Sequence, residues 1–383
     1  MITKISSDAM IFRLMPEQRA WKELNYENLK WNVEKLKEHL PEHCAFMAVV
    51  KADAYGHGAL PVSSYLNRIG VRAFAVATLQ EGIALRKAGI QGEILIMGYT
   101  PPQDACLLTA NDLIQTAADC AHARALNAAA PYPVKVHLKI DTGMRRLGER
   151  AEHIDALASL FSLPRLRILG MYSHLCAADS QEIDDILFTR VQISSFLRTV
   201  EILREKGCDP GKLHLQSSYG VLNYPGLPMD YARFGIAMYG VLSSPDSRLL
   251  ERVSLRPVLS LHARIATVRN LHPGETVSYG RHFRAEVPMR AATVTIGYAD
   301  GLPRSLSGTE LPVLVRGRRA HVIGNICMDQ LIIDVTGIPE ARPGDVVTFL
   351  GSDGNQTLRA EEMAEKAGTI TNELLCRLHL RNQ

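Results

Sequence analysis

The sequence predicts an α/β protein, a (β/α)8 TIM-type barrel followed by a mainly β C-terminal domain, and three observations point there. Short apolar runs alternate with amphipathic stretches eight times between residues 26 and 240. Beyond residue 250 the texture changes to strand-like segments divided by turn signals. Polar, chemistry-bearing side chains gather just after the apolar runs, where a parallel barrel presents its variable loops. A chain of 383 residues exceeds what one core usually holds. The division that follows is a leader or linker over 1–18, the barrel over 19–250 and the β domain over 251–383. The strand near 19–25 is compatible with either domain.

The first helix covers residues 26–40, with Leu29, Val33, Leu36 and Leu40 at helical spacing. The strands follow at 45–50, 73–78, 93–98, 112–117, 134–140, 168–175, 212–218 and 232–240, most of them trailed by a helical stretch such as 79–88 or 180–206. The eighth unit has only a weak helix, and a doubly wound open sheet competes for the same repeats. The β domain places strands at 258–268, 291–296, 310–315, 321–323, 330–334 and 345–350, then a helix at 359–367.

Composition removes several classes of function. Hydrophobic residues make up 46% and charged ones 22%, ordinary for a globular protein. The net charge of +3 is spread without dense basic blocks, which argues against nucleic acid and membrane surfaces as partners. The seven cysteines contain no C-x-x-C pair, so neither a disulfide framework nor a metal site is expected. No run of about 18 apolar residues spans a bilayer, and the start lacks signal-peptide order, so a cytoplasmic location is expected.

At the barrel rim, Lys51, Asp53, Tyr55 and His57 follow strand one, and Lys139, Asp141, Arg145 and Arg146 lie around the end of strand five. Tyr172, Ser173 and His174 end strand six, Ser217 and Ser218 end strand seven, and Arg233, Gly235 and Ile236 lie within strand eight. Singly each has a bland explanation: a strand-end lysine is ordinarily just exposed, and a lone arginine a surface ion pair. Their convergence on one rim is harder to assign to chance. Ser217, Ser218 and Gly235 sit where barrel enzymes commonly bind phosphate. A phosphate site opposite a lone lysine suits pyridoxal 5′-phosphate, a cofactor with both a phosphate and an aldehyde.

The stretch Val49-Val50-Lys51-Ala52-Asp53-Ala54-Tyr55-Gly56-His57-Gly58 resembles the cofactor-lysine signature of alanine racemases. The resemblance continues through Lys139-Ile140-Asp141-Thr142-Gly143-Met144, Arg233-Phe234-Gly235-Ile236, Ser278-Tyr279-Gly280, Gly297-Tyr298-Ala299-Asp300-Gly301 and Cys327-Met328-Asp329-Gln330. It implies that Lys51 holds the cofactor covalently and then serves as one catalytic base. Tyr279 is implied as the second base, supplied across a homodimer interface so that the active sites are shared. Tyr55, Ser218, Gly235 and Ile236 resemble the phosphate anchors. Arg233 is similar to the arginine facing the pyridine nitrogen, and His174 to the histidine linking it to the tyrosine. Arg146 resembles the residue at the cofactor's phenolic oxygen, and Lys139 a lysine that is often carbamylated and holds that arginine. Tyr298, Met328 and Asp329 match residues on the substrate side.

Two departures stand out. Where the family reads Thr-Ile-Ser-Tyr, this chain has Thr369-Ile370-Thr371-Asn372. Asn372 leaves room beside the substrate and has groups to bond a β-hydroxyl, which favours serine alongside or ahead of alanine. Membrane-anchored serine racemases of vancomycin-resistance systems look similar and share an asparagine there. In those proteins the racemase is the cytoplasmic half of a longer chain, so residues 1–18 read either as a linker or as a plain extension. The second departure is Arg145, where the family often has glycine.

Overall fold

The computed structural model describes residues 18–245 and 247–381, which fall into two compact units. The proposed leader therefore lies, except for Gln18, outside the described residues. One unit is Asn25–Val258; the other joins the strand Ala20–Leu24 to everything from Leu259 onward.

In the first unit the barrel strands are Ala45–Val49, Ala73–Val76, Glu93–Ile96, Ile114–Ala117, Val134–Asp141, Leu166–Tyr172, Lys212–His214 and Tyr231–Phe234. Neighbours pair in parallel around the ring, and pairing of the fourth strand with the fifth and of the eighth with the first closes it. This excludes the open doubly wound sheet. Runs such as Ala73–Val76 are buried at every residue, as strands covered on both faces must be. Three helices of this unit start on side-chain caps: Asn25 accepts from the Asn28 amide, Asp119 from His122, and Thr78 and Glu81 form a reciprocal capping box.

The inward-facing side chains divide the barrel in two. Met47, Val49, Ala73, Ala75, Leu95 and Ile114 form an apolar cluster on the side of strands one to four, joined by Tyr231. Strands five to eight instead bury His137, Lys139, Tyr172, His214 and Arg233. Period-two alternation keeps His137 with Lys139, and Tyr231 with Arg233, on one face.

Three strand ends differ from the sequence expectation, strand six stopping at Tyr172 rather than at residue 175. Strand seven stops at His214, and Ser218 instead begins a short helix to Asn223. Strand eight stops at Phe234; Gly235 leaves extended geometry (φ −107°, ψ −102°), and Ile236–Tyr239 is a 3-10 turn. Gly235 and Ile236 thus lie in the loop after the strand. Their apolar run continues the strand's composition, so hydrophobicity alone does not mark the break.

In the second unit the long strand Leu259–Leu271 pairs antiparallel with Ala20–Leu24, Met289–Val294 and Val346–Asp353. Leu331–Asp334, Arg318–Ile323 and Pro312–Val315 complete a closed antiparallel ring. A hairpin of Thr276–Val277 and Phe283–Arg284, a strand Gln356–Leu358 and a last helix Thr371–Arg377 were not anticipated. Among the described residues no helix is long and apolar enough to cross a membrane.

Candidate active site

Lys51 follows directly on strand one and opens a turn of the opposite hand to an ordinary helix. Ala52, Asp53, Ala54 and Tyr55 have φ of 52°, 52°, 55° and 53° and ψ of 52°, 45°, 48° and 43°. Left-handed helix costs L-residues roughly 1–2 kcal/mol each, so it persists only where its surroundings impose it. Glu81 imposes it from the next loop, accepting from the Ala52 amide through Oε1 and from the Ala77 amide through Oε2, each at 2.7 Å. Asp53 Oδ1 accepts from the Ala59 amide at 2.7 Å and ties the far end.

Tyr55 ends this turn with its hydroxyl against the backbone of Gly235. A Cβ at residue 235 would lie 2.6 Å from Tyr55 Oη, so any residue other than glycine would have to displace Tyr55. Strands one and eight pair in register, Phe234 opposite Ala48, which sets the Lys51 turn beside Gly235 and Ile236. Ser218, also buried, begins the helix after the adjacent strand seven.

Arg233 is buried in the barrel without a carboxylate partner among the described residues. Its Nη1 donates to His214 Nδ1 at 2.8 Å, and its Nη2 reaches the carbonyls of Ser173 (2.8 Å) and Leu215 (3.0 Å) and His174 Nδ1 (3.2 Å). Guanidinium only donates, so both Nδ1 atoms accept and each imidazole carries its proton on Nε2. His214 Nε2 then donates to His137 Nδ1 at 2.8 Å, which leaves a buried N–H at His137 Nε2 with no partner among the described residues. Burial first, and Arg233 second, hold His137 and His174 neutral, each down to about 3. Arg233 itself comes down to about 10 through burial and so stays charged.

Lys139 projects from strand five into the same polar half, 5.1 Å from the Tyr172 ring. Burial, then repulsion from Arg233, lowers its pKa to about 7, with Arg146 adding to the effect. Its ammonium reaches the Ile140 carbonyl at 3.2 Å. Arg146 is exposed in the following loop, near enough for its charge to act on Lys139 and His174. Arg145 adopts φ 56° and is held by Asp141, which accepts from its amide at 3.1 Å and its Nη1 at 3.4 Å.

The remaining residues belong to the β unit. Tyr279 is 73% exposed at the tip of the short hairpin, where Asn325 Nδ2 donates to its carbonyl at 2.7 Å. Tyr279, Met328 and Asp329 line one depression with Ser278 and Cys327. Tyr298 is held to that loop, since its amide donates to the Cys327 carbonyl at 3.0 Å. Asn372 sits on the last helix, half-buried, and its Oδ1 is buried without a hydrogen-bond partner among the described residues.

The alanine racemase N-terminal domain model matches residues 24–243, and the C-terminal domain model residues 258–383. The chain belongs to the alanine racemase family. An amino-acid racemase of Enterococcus faecalis is 43% identical over 95% of this chain, and a serine/alanine racemase of Enterococcus gallinarum 42% identical over 95%. The chain spans about half the length of these relatives, 51% of each. Among solved structures, the alanine racemase of Bacillus anthracis with bound L-Ala-P superimposes with a TM-score of 0.87 at 32% identity, over 96% of both chains.

Alanine racemases depend on pyridoxal 5′-phosphate, and the barrel residues fit that group. The Lys51 amine suits its aldehyde, the Tyr55 hydroxyl beside Gly235 suits its phosphate, and the buried Ser218 that opens the helix after strand seven offers a second hydroxyl. Sequence reasoning missed Glu81, which holds the lysine turn, and the pair His137–His214 behind Arg233. A capping-box spacing at Thr78 and Glu81 was legible, but the reach of Glu81 to Ala52 was not.

Proposed function

We propose that this protein is a pyridoxal-phosphate-dependent racemase that interconverts L- and D-serine and L- and D-alanine. It works as a homodimer in which the partner subunit supplies Tyr279, and its products feed peptidoglycan precursors. The observation that carries the reading is Arg233, a buried cation that among the described residues is bonded only to carbonyls and neutral imidazoles. A decarboxylase on the same plan generally has an acid at that place, to keep the cofactor's ring nitrogen protonated.

When bound, the cofactor supplies an electron sink that acidifies the α C–H of an attached amino acid. Inverting the centre then needs proton acceptors on opposite faces of Cα. Lys51 Nζ takes or returns the proton on one face, and Tyr279 Oη serves the other. The exposure of Tyr279 at a hairpin tip supports its use by a second copy, because a phenol works as a base near neutral pH only beside groups that stabilise its ionised form. His174, neutral with its proton on Nε2, keeps a donor to offer a tyrosinate. Arg233 holds its proton and so withholds one from the ring nitrogen, which favours return of the proton to Cα over side reactions.

Lys139, with an amine about half neutral near pH 7 and two arginines in reach, is the group we assign to carbamylation. Addition of the amine to CO2 with loss of one proton replaces an unwanted cation by an anion able to hold Arg146.

The unpartnered Asn372 Oδ1 supports serine as a substrate, since a β-hydroxyl would supply the missing donor. The test is kcat/KM for serine and alanine in the wild type, Lys51→Ala and Asn372→Tyr. Lys51→Ala abolishes both activities, and Asn372→Tyr lowers the serine-to-alanine ratio roughly tenfold, the worth of one hydrogen bond. An unchanged ratio refutes the role of Asn372, and a wild type active on alanine alone makes this a strict alanine racemase.

A further inference from the structure

The β unit contains a four-member ion network that the racemase reading leaves unused. Asp300 is completely buried and accepts from the Gly297 amide at 3.0 Å, which fixes the turn carrying Tyr298. Arg19 binds Asp300 through both guanidinium nitrogens, Nη1 at 3.1 Å, and donates to the Thr295 carbonyl at 2.6 Å. From the C-terminal end, Arg381 places Nε 3.3 Å from Asp300 Oδ1 and Nη2 2.7 Å from Asp329 Oδ1. Asp300 is therefore satisfied twice, once from each end of the chain, whereas no other cation is bridged to Asp329 among the described residues. The two loops are stitched together by backbone as well, Tyr298 N to Cys327 O and Ala299 N to Met328 O, each at 3.0 Å.

We propose that Arg381 is a positioning residue, a clamp that anchors the exposed Asp329 carboxylate to the buried Asp300 and so fixes the Met328–Asp329 turn. This rests on the reading that Met328 and Asp329 line the substrate side. The division of labour follows from burial. Asp300 keeps Arg19 and the Gly297 amide when Arg381 is removed, so the fold survives. Asp329, with a side chain 58% exposed, is resolvated by water and loses its position rather than its solvation. Its freed charge then samples orientations that repel the substrate carboxylate. The effect falls on substrate binding, not on the proton transfers made by other residues.

Arg381→Ala should raise KM roughly fivefold, equivalent to about 1 kcal/mol, with kcat within twofold and the melting temperature nearly unchanged. Arg381→Lys should recover part of the loss. In an Asp329→Asn background the same substitution should do little, because the charge to be clamped is gone. Amide hydrogen exchange supplies a readout free of turnover: exchange over residues 326–331 should quicken in Arg381→Ala. Unchanged exchange, or an equal KM penalty in the Asp329→Asn background, overturns the clamp. If the wild type racemises neither amino acid, the functional reading falls, and the exchange result alone decides whether Arg381 holds the turn.

Discussion

Replacing Gly235 by alanine tests the lysine turn and the phosphate cradle together. The new Cβ would lie 2.6 Å from Tyr55 Oη, 3.1 Å from Cζ and 3.5 Å from Cε2. Side-chain carbons do not tolerate contacts under 3 Å, so Tyr55 must move. It has little freedom to do so: its backbone is locked in the left-handed turn, and its ring packs 5.3 Å from Tyr239, whose hydroxyl bonds the Val49 carbonyl. Overpacking of this kind costs about 1–3 kcal/mol. For a unit of this size each kcal/mol is worth roughly 2–4 °C, so melting should fall by about 2–12 °C. If the strain also displaces the Tyr55 hydroxyl from the phosphate, the same energy weakens cofactor binding by roughly 5- to 150-fold. Thermal unfolding of the cofactor-free protein and titration with pyridoxal phosphate read the two terms separately. Adding Tyr55→Phe removes the 2.6 Å contact and should restore much of the melting loss. An unaltered melting point and affinity in Gly235→Ala, or no recovery in the double variant, refutes the reasoning.

Two further outcomes follow from the same geometry. Glu81→Ala strips the acceptor from the Ala52 and Ala77 amides and should cost about 1–3 kcal/mol in urea unfolding, with faster exchange of the Ala52 amide; a loss below ~0.5 kcal/mol would mean the turn stands without it. Lys139 has a folded pKa of about 7 against an ordinary 10.5, so between those values the unfolded chain binds a proton that the fold refuses, and stability rises with pH. The penalty is full below pH 7 and gone above 10.5, so Lys139→Met should stabilise the protein most at pH 6, with the gain shrinking toward pH 10 in CO2-free buffer. A gap independent of pH would show that Lys139 is not desolvated as described.

The barrel was legible because runs such as Ala73–Val76 are apolar on both faces and alternate with amphipathic stretches of helical period, both local signals. The rim residues were legible from their places just after the apolar runs, and their roles through a motif. Strand ends seven and eight were not, since Gly235 breaks an apolar run whose composition does not change. The stacking inside the polar half of the barrel was not legible, because His137, His214 and Tyr172 come from three strands and only closure of the ring brings them together: the Tyr172 and His214 rings lie 4.5 Å apart and 7° from parallel. The hairpin around Tyr279 rests on Ser278 at φ 65° and Arg281 at φ 54°, conformations that neither residue type advertises.

The same holds for the lysine turn, and it limits how far that motif can travel. Nothing in Lys51-Ala52-Asp53-Ala54-Tyr55 prefers the left hand; two alanines among five residues favour the right-handed helix. The handedness is stored outside the segment, in Glu81 one loop away and in the missing side chain at residue 235 on the far side of the sequence. A ten-residue graft of this signature onto another barrel would carry the lysine but not its aim, and would relax into an ordinary helix pointing Tyr55 elsewhere. The transferable part is the three-loop assembly, so a designed scaffold has to import residues 49–59, 77–81 and 233–239 together or not at all.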